Sequence, residues 1–269
     1  MKIALCISGI PRSGDAPGEN KNLDFNRNLT NLKKHFPTAD VYLGTWRQYE
    51  DAFTKYPFLA EYPHWFFDEP KSHYHPYFDM PKKHMISEKM RKVADVYKKV
   101  PRLHERIRYQ AHQIMCHALL VDQLPEKYDV IIRARYDTFT YTTANFDEYV
   151  NDVYQNKTAC GFACLRGHWP TFNIIREMSK DDPVQCDGAV DLHNNREKYL
   201  FDSLIMHHGD SIDTKCVFDL YEQKRLCPAE FGWYQTLSQP YNDNHRCFSG
   251  WVNADRCVPD NFLKEATEK

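Results

Sequence analysis

The chain opens on a short apolar run, KIALCIS (2–8), which predicts a buried strand. NLDFNRNLTNLKKHFP (22–37) sets Leu23, Leu29, Leu32 and Phe36 at near-helical spacing and stops at a proline, so it predicts a helix. ADVYLGTW (39–46) predicts a second strand. Strand, helix, strand in this order is the signature of an α/β unit with parallel strands. Residues 50–85 are rich in Tyr, Phe, His and Pro with little period, and predict an irregular insert around a short strand at His64–Phe67. Two helices follow. ISEKMRKVADVYKKV (86–100) has Met90, Val93, Ala94 and Tyr97 on one face. RLHERIRYQAHQIMCHALL (102–120) has Leu103, Ile107, Ala111, Ile114, Met115 and Ala118 on one face, and Pro101 suits its start.

YDVIIRARYDTFTY (128–141) carries the strongest strand signal, beginning Val130-Ile131-Ile132 and then alternating with arginines. KTACGFACL (157–165) and KYLFDSLIMHH (198–208) predict two more strands. A helix is expected near 211–224, and a short one in CPAEFGWYQTL (227–237) with Pro228 in its first turn. The remainder to residue 269 carries no regular pattern. No repeat, low-complexity tract or linker interrupts the sequence, which predicts a single α/β domain.

Composition narrows the function. The chain has 269 residues, is 42% hydrophobic and 27% charged, and so can bury an ordinary core. A formal net charge of -2 argues against a nucleic-acid or membrane-surface protein driven by bulk charge. Aromatics at 14% suit a sugar or base site as well as a tyrosine-rich core. Nine cysteines cannot all pair within one chain, and no CxxC occurs. Cys160 with Cys164, or Cys247 with Cys257 near His245, match no zinc module, so free thiols in a reducing compartment are expected. The apolar run Ile3–Ile7 is too short for a signal peptide and is cut by Pro11-Arg12; no stretch reaches the length of a membrane span. A soluble, cytoplasmic protein is the expectation.

The candidate chemistry starts in LCISGIPRSGDAPGEN (5–20). Gly9 and Gly14 have P-loop spacing, but Asp15-Ala16 stand where a lysine and a hydroxyl are needed, and a carboxylate there repels phosphate. PRSG (11–14) resembles the phosphosulfate loop of sulfotransferases, yet DAPGENKN follows it without a hydroxyl pair. A third reading ends the first strand of a nucleotide-sugar domain at Ser8-Gly9-x-Pro11-Arg12. Gly9 lets the backbone approach a ligand, and the forked donors of Arg12 meet a diphosphate. The plain alternative is a strand-to-loop turn with a surface arginine.

In the 128–141 strand, a period of two puts Arg133, Arg135 and Asp137 on one face. Such charges at the end of a buried strand are costly unless paired or bound to a ligand. Either they form an internal salt bridge, or they serve an anionic donor and a divalent cation, with Asp137 offering oxygen to Mg²⁺ or Mn²⁺ and an arginine meeting phosphate. His207-His208 do not share an ion, because neighbours on a strand face opposite ways. Trp46, Trp233 and Trp251 suit stacking on sugar or base as well as the core; Gln110 and Gln113 lie on the helix at 102–120.

IALCISGIPR, ADVYLGTW and DVIIRARYDTFTY, in this order, resemble GT-A-type glycosyltransferases, most nearly the single-domain viral and bacterial enzymes that build surface glycans, including the WavE-like group. The likeness runs over roughly residues 2–46 and 105–237. It implies a GT-A-like (Rossmann-like) mixed, mostly parallel sheet flanked by helices, with a nucleotide-binding part over about 1–140 and an acceptor-side part over about 141–269. It implies transfer of a sugar, hexose or pentose, from a nucleotide-diphosphate sugar to a glycan hydroxyl, with Mn²⁺ or Mg²⁺ assisting. Ser8, Gly9, Arg12, Arg133 and Arg135 would hold the diphosphate, and Asp137 the metal. KYLFDSLIMHHGDSI and CPAEFGWYQTL resemble the later strand and Pro-x-Glu segment of that family, which makes Asp202 and Glu230 the candidate bases. No Asp-x-Asp, the usual metal motif of the family, occurs anywhere in the chain. The competing classes are a sulfotransferase and a non-catalytic glycan-binding module.

Overall fold

A computed structural model of the chain describes residues 1–11, 25–70, 101–138, 140, 146–163, 204–222, 226, 232–233, 236–237 and 249–251. The strands are β1 (Ile3–Ser8), β2 (Asp40–Trp46), β3 (His64–Phe67), β4 (Val130–Ala134), β5 (Ala159–Ala163), β6 (Leu204–His208) and β7 (Ser249–Trp251). The helices are α1 (Phe25–His35), α2 (Asp51–Lys55), α3 (Pro101–Asp122), α4 (Phe146–Asn156) and α5 (Thr214–Glu222). The strands form one sheet in the order β3-β2-β1-β4-β6-β5-β7. β1, β2, β3 and β4 run parallel; β6 is antiparallel to both β4 and β5, and β7 is parallel to β5. One reversed strand in an otherwise parallel sheet is the GT-A-like, mostly parallel α/β architecture expected.

The period of two divides each central strand between two cores. Leu5, Ile7, Leu43, Val130, Ile132 and Met206 pack under α1 (Phe25, Leu29, Leu32) and α4 (Phe146, Val150, Val153). Ala4, Cys6, Tyr42 and Ile131 face the other way, toward Leu120 of α3. Ile205 and Trp46 join Ile114, Met115 and Ala118 of α3 and Val217 and Leu220 of α5. Each buried Leu, Ile, Val or Phe stabilises the fold by about 1.5–3 kcal/mol relative to its exposed form. Helices on both faces explain why the central strands read as near-continuous apolar runs.

Three expectations need correction. The strand expected over 128–141 ends at Ala134, because residues 135–138 form a turn: the Thr138 N–H donates to the Arg135 carbonyl at 3.1 Å and the Arg135 N–H to Thr138 Oγ1 at 3.0 Å. The insert at 50–85 contains α2 and a short 3₁₀ turn at Pro57–Glu61 beside the expected β3. α4 and β7 were not expected at all, although Phe146, Val150 and Val153 stand at helical spacing and the acids Asp147 and Glu148 complement the helix dipole in the first turn. The helix expected at 86–100 lies outside the described residues.

Candidate functional site

β1 and β4 are adjacent, with Ile7 opposite Ala134. From this pair the chain winds outward to β2 and β3 on one side and to β6, β5 and β7 on the other. Ligands of open α/β sheets bind beyond the carboxyl ends of the strands at such a reversal. Ser8 and Gly9 form the end of β1 here. Gly9 has φ +118°, a conformation that side chains rarely adopt. Its N–H donates to the Gly44 carbonyl at 3.2 Å, and Tyr136 Oη donates to the same carbonyl at 3.3 Å, which ties together the ends of β1, β2 and β4. Ser8 is fully buried, and its hydroxyl has no hydrogen-bond partner among the described residues. Leaving a buried hydroxyl unsatisfied costs about 1–3 kcal/mol.

The turn after β4 brings Arg135 and Asp137 together. Arg135 Nε donates to Asp137 Oδ1 at 2.7 Å and Nη2 to Oδ2 at 2.6 Å, a bidentate pair with side-chain exposures of 19% and 13%. α1 pins this turn from one side. Asn28 Nδ2 donates to the Tyr136 carbonyl at 3.0 Å. Asn31 Oδ1 accepts from the Thr140 N–H and hydroxyl, both at 2.8 Å, while its Nδ2 donates to the Thr140 carbonyl at 3.1 Å.

Arg133 parts from the other two. It points to the α3 face, fully buried, donating Nη2 to Gln113 Oε1 at 2.6 Å with its guanidinium 5.1 Å from the centre of the Trp233 ring. The expected single face of three charges therefore splits, since alternation stops where the strand does. Beside Arg133 lies a polar seam between α3 and its neighbours. His112 joins Glu69 at 2.5 Å through Nδ1 and Tyr221 Oη at 3.1 Å through Nε2. His117 Nε2 meets His207 Nε2 at 3.0 Å. His207 Nδ1 lies 2.9 Å from the His208 carbonyl and so carries the proton; His117 must then donate from Nε2. Burial, His207 and Arg133, in that order, hold the His117 pKa well below its ordinary value. Burial likewise pushes the Cys116 thiol up to about 12, against the lowering effect of the Gly9 N–H and Arg133. His208 turns away, accepting the Asp210 N–H at Nδ1, as the opposed faces of neighbouring strand residues require.

Trp46 and Trp233 are both fully buried core residues. Asn28, Asn31, Glu69, His112 and His117 escaped the sequence reading. Asn28 sits between Phe25 and Leu32 on the apolar stripe of α1, a polar residue where core is expected. AHQIMCHALL (111–120) holds no charge, the mark of a helix buried nearly all round.

Arg12, Asp202 and Glu230, as well as Pro228, Cys164, His245, Cys247 and Cys257, lie outside the described residues. The metal that the family resemblance implies finds a poor fit in what is described. Both oxygens of Asp137 face Arg135, and no group of three His, Cys, Asp or Glu among the described residues could hold an ion. No helix among them is long and apolar enough to cross a membrane.

No family model and no curated protein sequence matches the chain. Among solved structures, 4-diphosphocytidyl-2C-methyl-D-erythritol synthase from Anaerococcus prevotii aligns over 100% of this chain and 95% of its own, at 9% identity and a TM-score of 0.45. Core-mannan synthase A from Aspergillus fumigatus, in a Mn/GDP form, aligns over 88% and 66%, at 11% identity and 0.42. Mouse xyloside xylosyltransferase 1 aligns over 92% and 85%, at 8% identity and 0.42. Likenesses at this level do not carry an activity across.

Proposed function

We propose that this chain is a glycosyltransferase that takes a sugar from a nucleotide-diphosphate donor and passes it to a glycan hydroxyl, as a builder of viral or bacterial surface glycan. The observation that carries the reading is the junction of β1 and β4: an unsatisfied buried Ser8 hydroxyl and a left-handed Gly9 lie one rung from the Arg135–Asp137 pair. A neutral glycan alone does not call for such a group of donors, which disfavours a binding module.

Breaking the bond between the anomeric carbon and the diphosphate leaves negative charge on the leaving phosphate. A site that speeds this step must present fixed donors where that charge grows. Ser8 Oγ, the backbone at Gly9, Arg12 and Arg135 take that role. Arg133 is instead buried against α3, held by Gln113 and Trp233. Asp202 or Glu230 takes the proton of the acceptor hydroxyl.

A thermal-shift screen of UDP- and GDP-sugars tests the reading. A donor at about 100 times its Kd adds about 2.7 kcal/mol of stability, which raises Tm by several degrees. Asp137→Ala is expected to lower kcat/KM for transfer or donor hydrolysis by about 10²-fold or more. Stabilisation by adenosine 3′,5′-bisphosphate instead would make the chain a sulfotransferase, and response to oligosaccharide alone would make it a binding module.

A further inference from the structure

We propose that Asp137 is a positioning residue for Arg135 and not a metal ligand, and that the site neutralises its diphosphate with protein cations, without a divalent ion. This rests on the nucleotide-diphosphate reading above.

Consider what an ion would have to displace. Mg²⁺ and Mn²⁺ are held in transferase sites through one or two carboxylate oxygens, the donor's phosphates and waters. Here each oxygen of Asp137 already accepts a short charge-assisted bond from one guanidinium, at 2.7 and 2.6 Å. To bind an ion, Asp137 must release Arg135 and leave that cation facing the incoming one. The residue two places before Asp137, where a second acid would share the ion, is Arg135 itself. The turn makes this arrangement stiff. Arg135 and Thr138 close it with two mutual hydrogen bonds, Asn28 fixes its Tyr136 carbonyl, and Tyr136 Oη anchors it on Gly44. A guanidinium locked by a carboxylate in a stiff turn is a preoriented donor for phosphate. Arg133, two residues back, faces α3 instead, where its charge is felt at His117 and Cys116. The turn thus supplies a protein cation, Arg135, at the carboxylate where an ion would otherwise bring its charge.

The two ideas predict different couplings. As a positioning residue, Asp137 acts on the nucleotide through Arg135, so the effects of changing either one on its binding are shared and do not add. As a metal ligand, Asp137 would govern the response to Mn²⁺, and Arg135 would not.

The test is calorimetric titration of UDP and of GDP into the full chain, in EDTA and in Mn²⁺, for wild type, Asp137→Asn, Arg135→Gln, Arg135→Lys and the Asn/Gln double variant. Circular dichroism melts on each variant identify any that fails to fold, and Arg135→Lys keeps the charge while removing the fork. The expected result is the same Kd in EDTA and Mn²⁺, with Asp137→Asn, Arg135→Gln and the double variant each weakening binding about tenfold and no more together than singly. In parallel, electron paramagnetic resonance of free Mn²⁺ is expected to show no loss of signal that depends on Asp137. Tightening of a nucleotide by Mn²⁺ that vanishes in Asp137→Asn but survives in Arg135→Gln overturns the proposal. So does Asp137-dependent uptake of Mn²⁺ by the protein alone, which needs no nucleotide and leaves the transferase reading standing. Binding of neither nucleotide in any buffer overturns the transferase reading, and this inference with it.

Discussion

At the scale of single residues, the site depends on side chains that reach into it from elsewhere. Asn31 lies on α1, far from β4 in sequence, yet makes three hydrogen bonds to Thr140. Each such bond contributes about 0.5–1.5 kcal/mol net. Asn31→Ala is therefore expected to lower the unfolding free energy by about 2–3 kcal/mol in urea titration. Asn156→Ala, which removes an exposed contact to Asp152, is the control and should stay within about 0.5 kcal/mol. Ser8 and Gly9 could be singled out from sequence because an apolar run that stops at Ser-Gly says where a strand ends and that the backbone there is unrestricted. Asn31 could not, since its partner is set by the packing of α1 against a turn 109 residues away. The pairing of Arg135 with Asp137 was one of the two readings open in sequence. What sequence could not supply was the turn at 135–138, which sends Arg133 to another core.

At the scale of elements, long periodic segments were legible and short or masked-period ones were not. β1, α1, β2 and α3 fall where the apolar spacing puts them, and β3 lies at the expected His64–Phe67. α4 was missed because Phe146, Val150 and Val153 are diluted by acids and asparagines in an 11-residue helix. The overlong reading of β4 has a clear cause: arginines alternating with small and aromatic residues mimic a strand, and only Thr138 folding back on Arg135 breaks it. The far end of β6 shows how closely elements can meet. The Gly209 N–H donates to the Asp129 carbonyl at 2.9 Å, and a Cβ at Gly209 would lie 1.8 Å from the Tyr128 carbonyl oxygen. Backbone cannot give way there as a side-chain tip can. Gly209→Ala is expected to cost about 3 kcal/mol or more, read as a fall in Tm, because β6 and the entry to β4 must separate.

At the scale of the whole molecule, a protein of small net charge hides an uneven interior. The Arg133 charge and the His117–His207 pair share the space under α3. His117 titrates lower in the folded chain than in the unfolded one, where its value is about 6.5. The unfolded chain then takes up the proton first as pH falls. The histidine's contribution is complete above that value and is lost as pH drops below it, at up to about 1.4 kcal/mol per pH unit for one proton. Urea midpoints of the wild type should therefore fall between about pH 6.5 and 5. His117→Gln, which can still donate to His207, should show a shallower fall, with a remainder from His35, whose pKa burial also lowers. The strand order, by contrast with these histidines, followed from sequence only as far as β1 and β2; the reversal of β6 is written in no local pattern. That reversal has a consequence for the route of the backbone. Leu204 sits opposite both Ala134 and Phe162, so the chain departs from β5 and comes back into β6 along one and the same margin of the sheet, the margin where Gly9 and Arg135 lie.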